Sequence, residues 1–199
     1  MCQLVESLKL EDGKLCHVEY HNERLNRSGK EIFSGWETVD LAEIIQVPED
    51  CTSGIYKVRV LYEGRIQKVE IEPYHFRTIA SLRVVRHEQV DYHLKYSDRR
   101  ILQELFALRG SCDDIIIVKN GFVTDSFAAN LLLFDGEKWV TPSTPLLKGT
   151  QRRYLLDQKI ISEAEIRESD ILNFEKIGLV NALVGFEQMP VIPVNRVVF

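Results

Sequence analysis

Apolar and polar positions alternate along most of this chain, and the places where the period changes mark its elements. Residues 4–10 alternate loosely, Glu11-Asp12-Gly13 turns the chain, and residues 14–18 follow, which predicts a β-hairpin. Residues 19–28 lose the alternation and read as a polar helix with Gly29 just past its end. Asp40 is placed to cap a short helix over 41–46, stopped before Pro48. Residues 54–62 and 65–71 are strands of period two around a Glu63-Gly64 turn, and 79–85 is a further β-branched run. The charged stretch Arg86-His87-Glu88-Gln89 separates this from the rest, so the chain divides into residues 1–86, a linker over 87–90, and residues 91–199.

The second part opens on Ser97-Asp98, a capping pair before a helix over 99–109. In that helix Ile101, Leu102, Leu105, Phe106 and Leu108 form an apolar stripe, and Gly110 ends it. Residues 115–118 are wholly apolar, as a strand buried on both faces would be. Asn120-Gly121 predicts a tight turn into 122–124, and 130–134 with 138–140 forms another hairpin around Asp135-Gly136. A helix is expected over 150–157, and the tail, 177–184 and 191–198, reads as strand. Many strands with few scattered helices predict an α+β fold rather than a doubly wound parallel sheet.

Composition narrows the function classes. The 199 residues include 25 Lys+Arg and 30 Asp+Glu, a formal net charge of −5, which argues against a surface for nucleic-acid backbones. The four cysteines (Cys2, Cys16, Cys51, Cys112) stand far apart, which argues against a disulfide scaffold or a structural zinc site. No apolar run approaches the roughly 20 residues that span a bilayer. The start lacks the charged and apolar regions of a signal peptide, so a reduced, cytoplasmic protein is expected. The nucleotide patterns G-x-G-x-x-G and G-x-x-x-x-G-K-[ST] are absent, as is G-x-S-x-G.

Several clusters could carry chemistry. Cys16, His17, Glu19 and His21 invite a metal, but no matching downstream ligand group stands out, and no metal site is expected. Arg24 and Arg27 lie one helical turn apart and could grip a phosphate or carboxylate. Lys95, with neighbours Tyr92, His93 and Tyr96, could have a lowered pKa and bond to an aldehyde cofactor. Asp125 is the one acid in the small, nearly neutral stretch Thr124-Asp125-Ser126-Phe127-Ala128-Ala129-Asn130, where it could pair with a pyridinium nitrogen. Lys148-Gly149-Thr150-Gln151-Arg152 offers a hydroxyl and backbone N–H groups at a helix start, a sound phosphate cradle. Taken singly each is an ordinary surface or turn feature. Their order is more informative.

That order resembles the fold-type IV (class IV) pyridoxal-phosphate enzymes, which include branched-chain and D-amino-acid aminotransferases and 4-amino-4-deoxychorismate lyases. Family chains carry H-x-x-R-L-x-x-S, matched by His21, Arg24, Leu25 and Ser28, then a Schiff-base lysine before a helix, matched by Lys95. Asp125 through Leu131 resembles the family's acidic and small-residue stretch, while Thr141-Pro142, Leu146-Leu147 and Gly149-Thr150-Gln151-Arg152 resemble its T-P and L-L-x-G-[IT]-x-R elements. The resemblance implies a two-domain fold whose C-terminal pseudo-barrel part carries the lysine. It implies that Lys95 holds pyridoxal phosphate and is the catalytic base. Arg24 and the Thr150 and Gln151 backbone would bind the phosphate, Asp125 the ring nitrogen, and Ala128 would line the cofactor. It also implies a homodimer. Family members usually have Glu at the position of Asp125, and they carry a further N-terminal segment of roughly 25 residues, enough for a strand hairpin, that this sequence lacks.

Lys95 followed four positions later by Arg99, with Ala128-Ala129-Asn130-Leu131, is most similar to the lyase members. The expected reaction is therefore release of pyruvate and 4-aminobenzoate, a folate precursor, from 4-amino-4-deoxychorismate. Arg59, on a strand that faces the pocket in the family, and Arg99 are candidate substrate contacts. An aminotransferase on the same scaffold is the alternative, and a catalytically inactive binding protein is a second one.

Overall fold

The structure, a computed structural model, describes residues 2–199, which form two compact units. The first comprises the residues up to Phe76 together with Leu94–Asp98; the second comprises Arg77–His93 and Arg99–Phe199.

The first unit is built on an antiparallel sheet of four strands in the order β2-β1-β3-β4: β1 (Leu4–Glu11), β2 (Lys14–Leu15), β3 (Ile55–Tyr62) and β4 (Ile66–Pro73). The β1–β2 turn uses Asp12 and Gly13 at φ 49° and 77°, the left-handed pair that a two-residue hairpin requires. Register places Leu4 opposite Tyr62, Glu6 opposite Val60 and Leu8 opposite Val58. The strand period then gathers Leu4, Leu8, Leu10, Val58, Val60 and Tyr62 into one core, and Glu6 is carried into it with them. Helix α1 (Val18–Ile32) lays His21, Arg24, Leu25 and Ser28 on this core, the i, i+3, i+4, i+7 stripe of a helix. The motif that looked like binding chemistry is thus also the helix's inward face.

Helix α1 runs past Gly29, which the sequence placed just beyond its end. A Cβ there would meet the Trp36 ring closer than 3.0 Å, so this glycine serves close packing rather than termination. Asp40 caps α2 (Leu41–Ile44) as expected, accepting from the Ala42 N–H.

The second unit contains two sheets. One has the order β13-β5-β6-β7, from β5 (Leu82–Arg86), β6 (Asp114–Lys119), β7 (Phe122–Val123) and β13 (Val197–Val198). The other has the order β10-β9-β8-β11-β12, from β8 (Asn130–Phe134), β9 (Trp139–Pro142), β10 (Ser162–Ala164), β11 (Lys176–Val180) and β12 (Val191–Pro193). Both mix parallel and antiparallel pairs, with β5–β6, β13–β5 and β10–β9 parallel. The apolar runs Ile115-Ile116-Ile117-Val118 and Leu131-Leu132-Leu133 are buried on both faces, as their lack of alternation implies. Helices α3 (Arg100–Ala107) and α4 (Thr150–Asp157) complete the unit.

Some expectations change. The chain passes between units at Phe76/Arg77, His93/Leu94 and Asp98/Arg99 and not over 87–90, so Lys95 falls in the first unit instead of the expected C-terminal part, and Arg86 belongs to β5, which pairs with β6. Helix α3 begins at Arg100 with Arg99 as its N-cap, without a side-chain bond from that residue, and the Ser97 N–H donates to Gln3 O. The tail is less regular than its apolar pattern. β11 stops at Val180, and between β12 and β13 the chain passes through a 3-10 turn at Val194–Arg196. Pro193, which has no N–H, precedes that turn.

Candidate active site

The candidate residues fall into one cluster in each unit. In the first, β1 supplies Glu6, wholly buried on the core face, and α1 supplies His21 and Arg24. Arg24 Nε donates to Glu6 Oε1 at 2.8 Å and Nη2 to Oε2 at 2.6 Å, a two-pronged pair. His21 Nδ1 lies 2.7 Å from Glu6 Oε2. Burial alone would raise the Glu6 pKa, but the Arg24 charge and hydrogen bonds, with those of His21, hold it at about 2. Burial lowers the His21 pKa against the pull of Glu6, so the imidazole is neutral and donates its Nδ1–H to a carboxylate that can only accept. Tyr62, fully buried beside this group, has its phenol pushed well up by burial and by the Glu6 charge.

Lys95 belongs to the same unit through its backbone. Its carbonyl accepts from the Val5 N–H at 2.9 Å, Tyr96 forms a bridge with Leu4, and the Ser97 N–H donates to Gln3 O at 2.9 Å. One strand, β1, therefore both carries Glu6 and fixes the segment that bears Lys95. Lys95 itself is half-buried, and its charge is near enough to lower the His21 pKa. Arg59, on the sheet, pairs with Glu70 at 3.1 Å.

The cluster in the second unit centres on Asp125. Its Oδ1 accepts from Asn130 Nδ2 at 2.7 Å and its Oδ2 from the Leu147 N–H at 2.9 Å. Burial raises its pKa to about 6, against the opposing effects of Leu147 N–H, Asn130 and the Arg152 charge. Asn130 Nδ2 also donates to Leu147 O at 2.8 Å, so one amide ties Asp125 to the chain leading into α4. Gly149 is the N-cap of α4 in extended conformation, followed by buried Thr150 and Gln151. The first N–H groups of a helix have no acceptor within it and carry the positive end of its dipole. Buried Arg152 fixes this helix from behind: Nε donates to Thr141 Oγ1 at 3.2 Å, and Nη2 to Pro142 O and Glu163 at 2.9 and 2.5 Å.

The loop after Asp125 is clamped on both sides of Phe127. The Phe127 N–H donates to buried Asp114 at 3.2 Å, and the Phe127 carbonyl accepts from Arg99 Nη2 at 2.6 Å. Arg99 also stacks over the Phe127 ring at 4.3 Å. Ala128 continues the loop and accepts from Asn181 Nδ2 at 3.2 Å.

The candidate metal group does not assemble. His17 caps α1 at φ 52°, Cys16 points to Glu11, and His21 turns to Glu6; among the described residues no three His, Cys, Asp or Glu side chains could hold an ion together. Sequence reasoning missed Glu6 and the side-chain role of Asn130. The available signal for Glu6 was its phase: an acid at the apolar positions of a strand needs a buried cation, and α1 places Arg24 on its inward stripe.

Residues 3–197 match the family described as amino-transferase class IV. An uncharacterised protein of Haemophilus influenzae is 38% identical over 187 residues, covering 93% of this chain and 100% of that protein. The structure of a candidate 4-amino-4-deoxychorismate lyase from Haemophilus somnus is 32% identical, with TM-score 0.88 over 94% of this chain and 98% of that one. A hypothetical aminotransferase from Mycobacterium tuberculosis in its pyridoxal-phosphate-bound form shares the fold, with TM-score 0.78, 19% identity and coverage of 96% and 80%. With its α+β architecture and the class IV match over nearly its whole length, the chain belongs to the class IV aminotransferase family of pyridoxal-phosphate enzymes.

Proposed function

We propose that this chain is a pyridoxal-phosphate-dependent 4-amino-4-deoxychorismate lyase, releasing pyruvate and 4-aminobenzoate, and that it acts as a homodimer. The residues fit the cofactor by their chemistry. Pyridoxal phosphate needs an amine for its aldehyde, an acid for its ring nitrogen and donors for its phosphate. The chain offers Lys95, Asp125, and Arg24 with the α4 start. The carrying observation is Asp125: a buried carboxyl held by an amide and a backbone N–H, with its pKa at about 6, which a cationic ring N–H would restore to the charged form.

When bound, the cofactor supplies an electron sink for a substrate that has lost a proton. Asp125 would keep the ring nitrogen protonated, and Asn130 with the Leu147 N–H holds that carboxyl in place. Arg24, its guanidinium plane fixed by Glu6, would bind the phosphate, and the Thr150 and Gln151 N–H groups would add directional donors. Ala128 would line the cofactor on a loop that Arg99 and Asp114 keep in register. Lys95 Nζ takes the proton from the substrate ring carbon that bears nitrogen. The carbon–oxygen bond to the enolpyruvyl group then breaks, the ring becomes aromatic, and the released fragment takes up a proton to become pyruvate. Atoms balance between substrate and two products, so no amino acceptor is consumed.

The lyase reading is supported by the 32% identical relative and by the Lys95…Arg99 spacing. Purified protein loaded with pyridoxal phosphate should convert 4-amino-4-deoxychorismate to equal amounts of pyruvate and 4-aminobenzoate, and Lys95→Ala should abolish this. Turnover of branched-chain or D-amino acids that depends on 2-oxoglutarate, with no pyruvate from the chorismate substrate, would identify an aminotransferase instead. Sedimentation at micromolar protein should give twice the 23.0 kDa chain mass.

A further inference from the structure

Glu6 lies outside the set of residues the cofactor would touch, yet both α1 side chains nearest that role are bonded to it. We propose that Glu6 is a positioning residue: it sets the plane and reach of the Arg24 guanidinium for the phosphate. The proposal rests on the reading that Arg24 binds that phosphate.

Arg24 is only 6% exposed and Glu6 is fully buried, so neither can be satisfied by bulk water. A guanidinium has five N–H donors in one plane. Bonds at Nε and Nη2 to the two oxygens of one carboxylate fix that plane and with it the directions of the remaining donors. His21 holds the same carboxylate from a third direction, so Glu6 cannot swing with Arg24. The support is rigid at its other end too. Glu6 sits on β1, whose neighbour Val5 binds the Lys95 carbonyl. One strand thus sets both the cation for the phosphate and the backbone of the lysine.

Glu6 also offsets the charge of Arg24, with His21 neutral. Phosphate recognition by this group therefore depends on oriented hydrogen bonds more than on net positive charge. Removing the Glu6 charge leaves a more positive pocket, so a purely electrostatic pocket would bind phosphate more tightly. A positioned one binds it more weakly.

The test compares pyridoxal phosphate with pyridoxal, which lacks the phosphate, by fluorescence titration of the apo-protein, for the native chain, Glu6→Gln, Glu6→Asp and Arg24→Ala. Glu6→Gln should weaken pyridoxal phosphate by about tenfold or more, the size seen when a group that orients a ligand-binding side chain is lost, while pyridoxal changes little. Glu6→Asp keeps the charge but draws the carboxylate back from the fork; it should show the same selective loss and decides the matter if Glu6→Gln does not fold. An equal loss for both ligands means a structural role only and overturns the proposal, as does unchanged or tighter phosphate binding. Arg24→Ala separates the two layers. If it leaves the preference for pyridoxal phosphate intact, the assignment of Arg24 fails. If it abolishes that preference while both Glu6 variants retain it, only the positioning role fails.

Discussion

Gly149→Ala probes the link between Asp125 and the start of α4. The backbone at Gly149, φ −67° and ψ 147°, suits alanine, so any cost arises from the added methyl. That Cβ would stand closer than 3.0 Å to Asn130 Oδ1 and 3.2 Å from its Cγ. Asn130, 6% exposed, cannot retreat without giving up its Nδ2 bonds to Asp125 at 2.7 Å and Leu147 O at 2.8 Å. A bond to a carboxyl contributes about 1.5–3 kcal/mol and a neutral one about 1, so full loss costs about 2.5–4 kcal/mol, less if the start of α4 shifts. Urea unfolding of the single and double variants with Asn130→Ala measures the coupling. With Asn130 shortened the methyl has room, and Gly149→Ala should then cost less than about 0.5 kcal/mol. Coupling of about 2 kcal/mol or more is expected. Equal costs in the two backgrounds would refute the clash, and with it the view that one amide holds both the acid and the helix start.

Other perturbations test the remaining parts. Glu6, at about 2 in the folded chain against an ordinary 4.5, contributes about 3 kcal/mol above pH 4.5 that is lost as pH falls toward 2; acid unfolding of Glu6→Gln should lack this component. Asp125 has the opposite sign: with its pKa at about 6 against 3.8, apo-protein stability should fall by about 3 kcal/mol as pH rises from 4 through 6. Asp125→Asn should remove that fall; a slope unchanged by the substitution would show that Asp125 is not its source. Gly29→Ala should destabilise by about 1–3 kcal/mol and move Trp36 off its contacts, seen in tryptophan fluorescence, whereas a solvent-facing helical glycine would gain up to about 1 kcal/mol. Borohydride reduction in the presence of pyridoxal phosphate should add the cofactor mass to the peptide containing Lys95; label on another lysine would reject Lys95 as the attachment point.

Local elements were legible wherever period and turn chemistry agreed. The Asp12-Gly13 and Asn120-Gly121 turns, with both residues of each pair at positive φ, follow directly from residues that tolerate that backbone. The unit to which a segment belongs was not legible, because it depends on bonds between residues distant in sequence. Leu94–Asp98 joins the first unit through Val5–Lys95 and Gln3–Ser97 contacts that no local pattern encodes. Gly29 misled for a related reason, since the ring that demands its small size arrives seven residues later.

The site shows the same division with greater consequence. Residues proposed to meet the cofactor stand in short recognisable motifs, Arg24 in His21-Asn22-Glu23-Arg24 and Thr150 with Gln151 in Gly149-Thr150-Gln151, because helix geometry presents such neighbours together. Residues that hold those groups come from other strands. Glu6 is an acid in an apolar register and becomes intelligible only when α1 brings a buried guanidinium to both of its oxygens. Asn130 reads as the end of a small-residue stretch until its amide is seen between Asp125 and Leu147. Both are buried, and each bonds one residue assigned to the cofactor, Glu6 to Arg24 and Asn130 to Asp125. On the proposed reading, substitutions at these two positions should therefore separate cofactor affinity from proton transfer, Glu6 acting through Arg24 at the phosphate end and Asn130 through Asp125 at the ring nitrogen. Glu6 variants should mainly raise the pyridoxal-phosphate concentration needed for activity. Asn130→Ala should mainly slow the saturated enzyme, and the reverse pattern would exchange the two assignments.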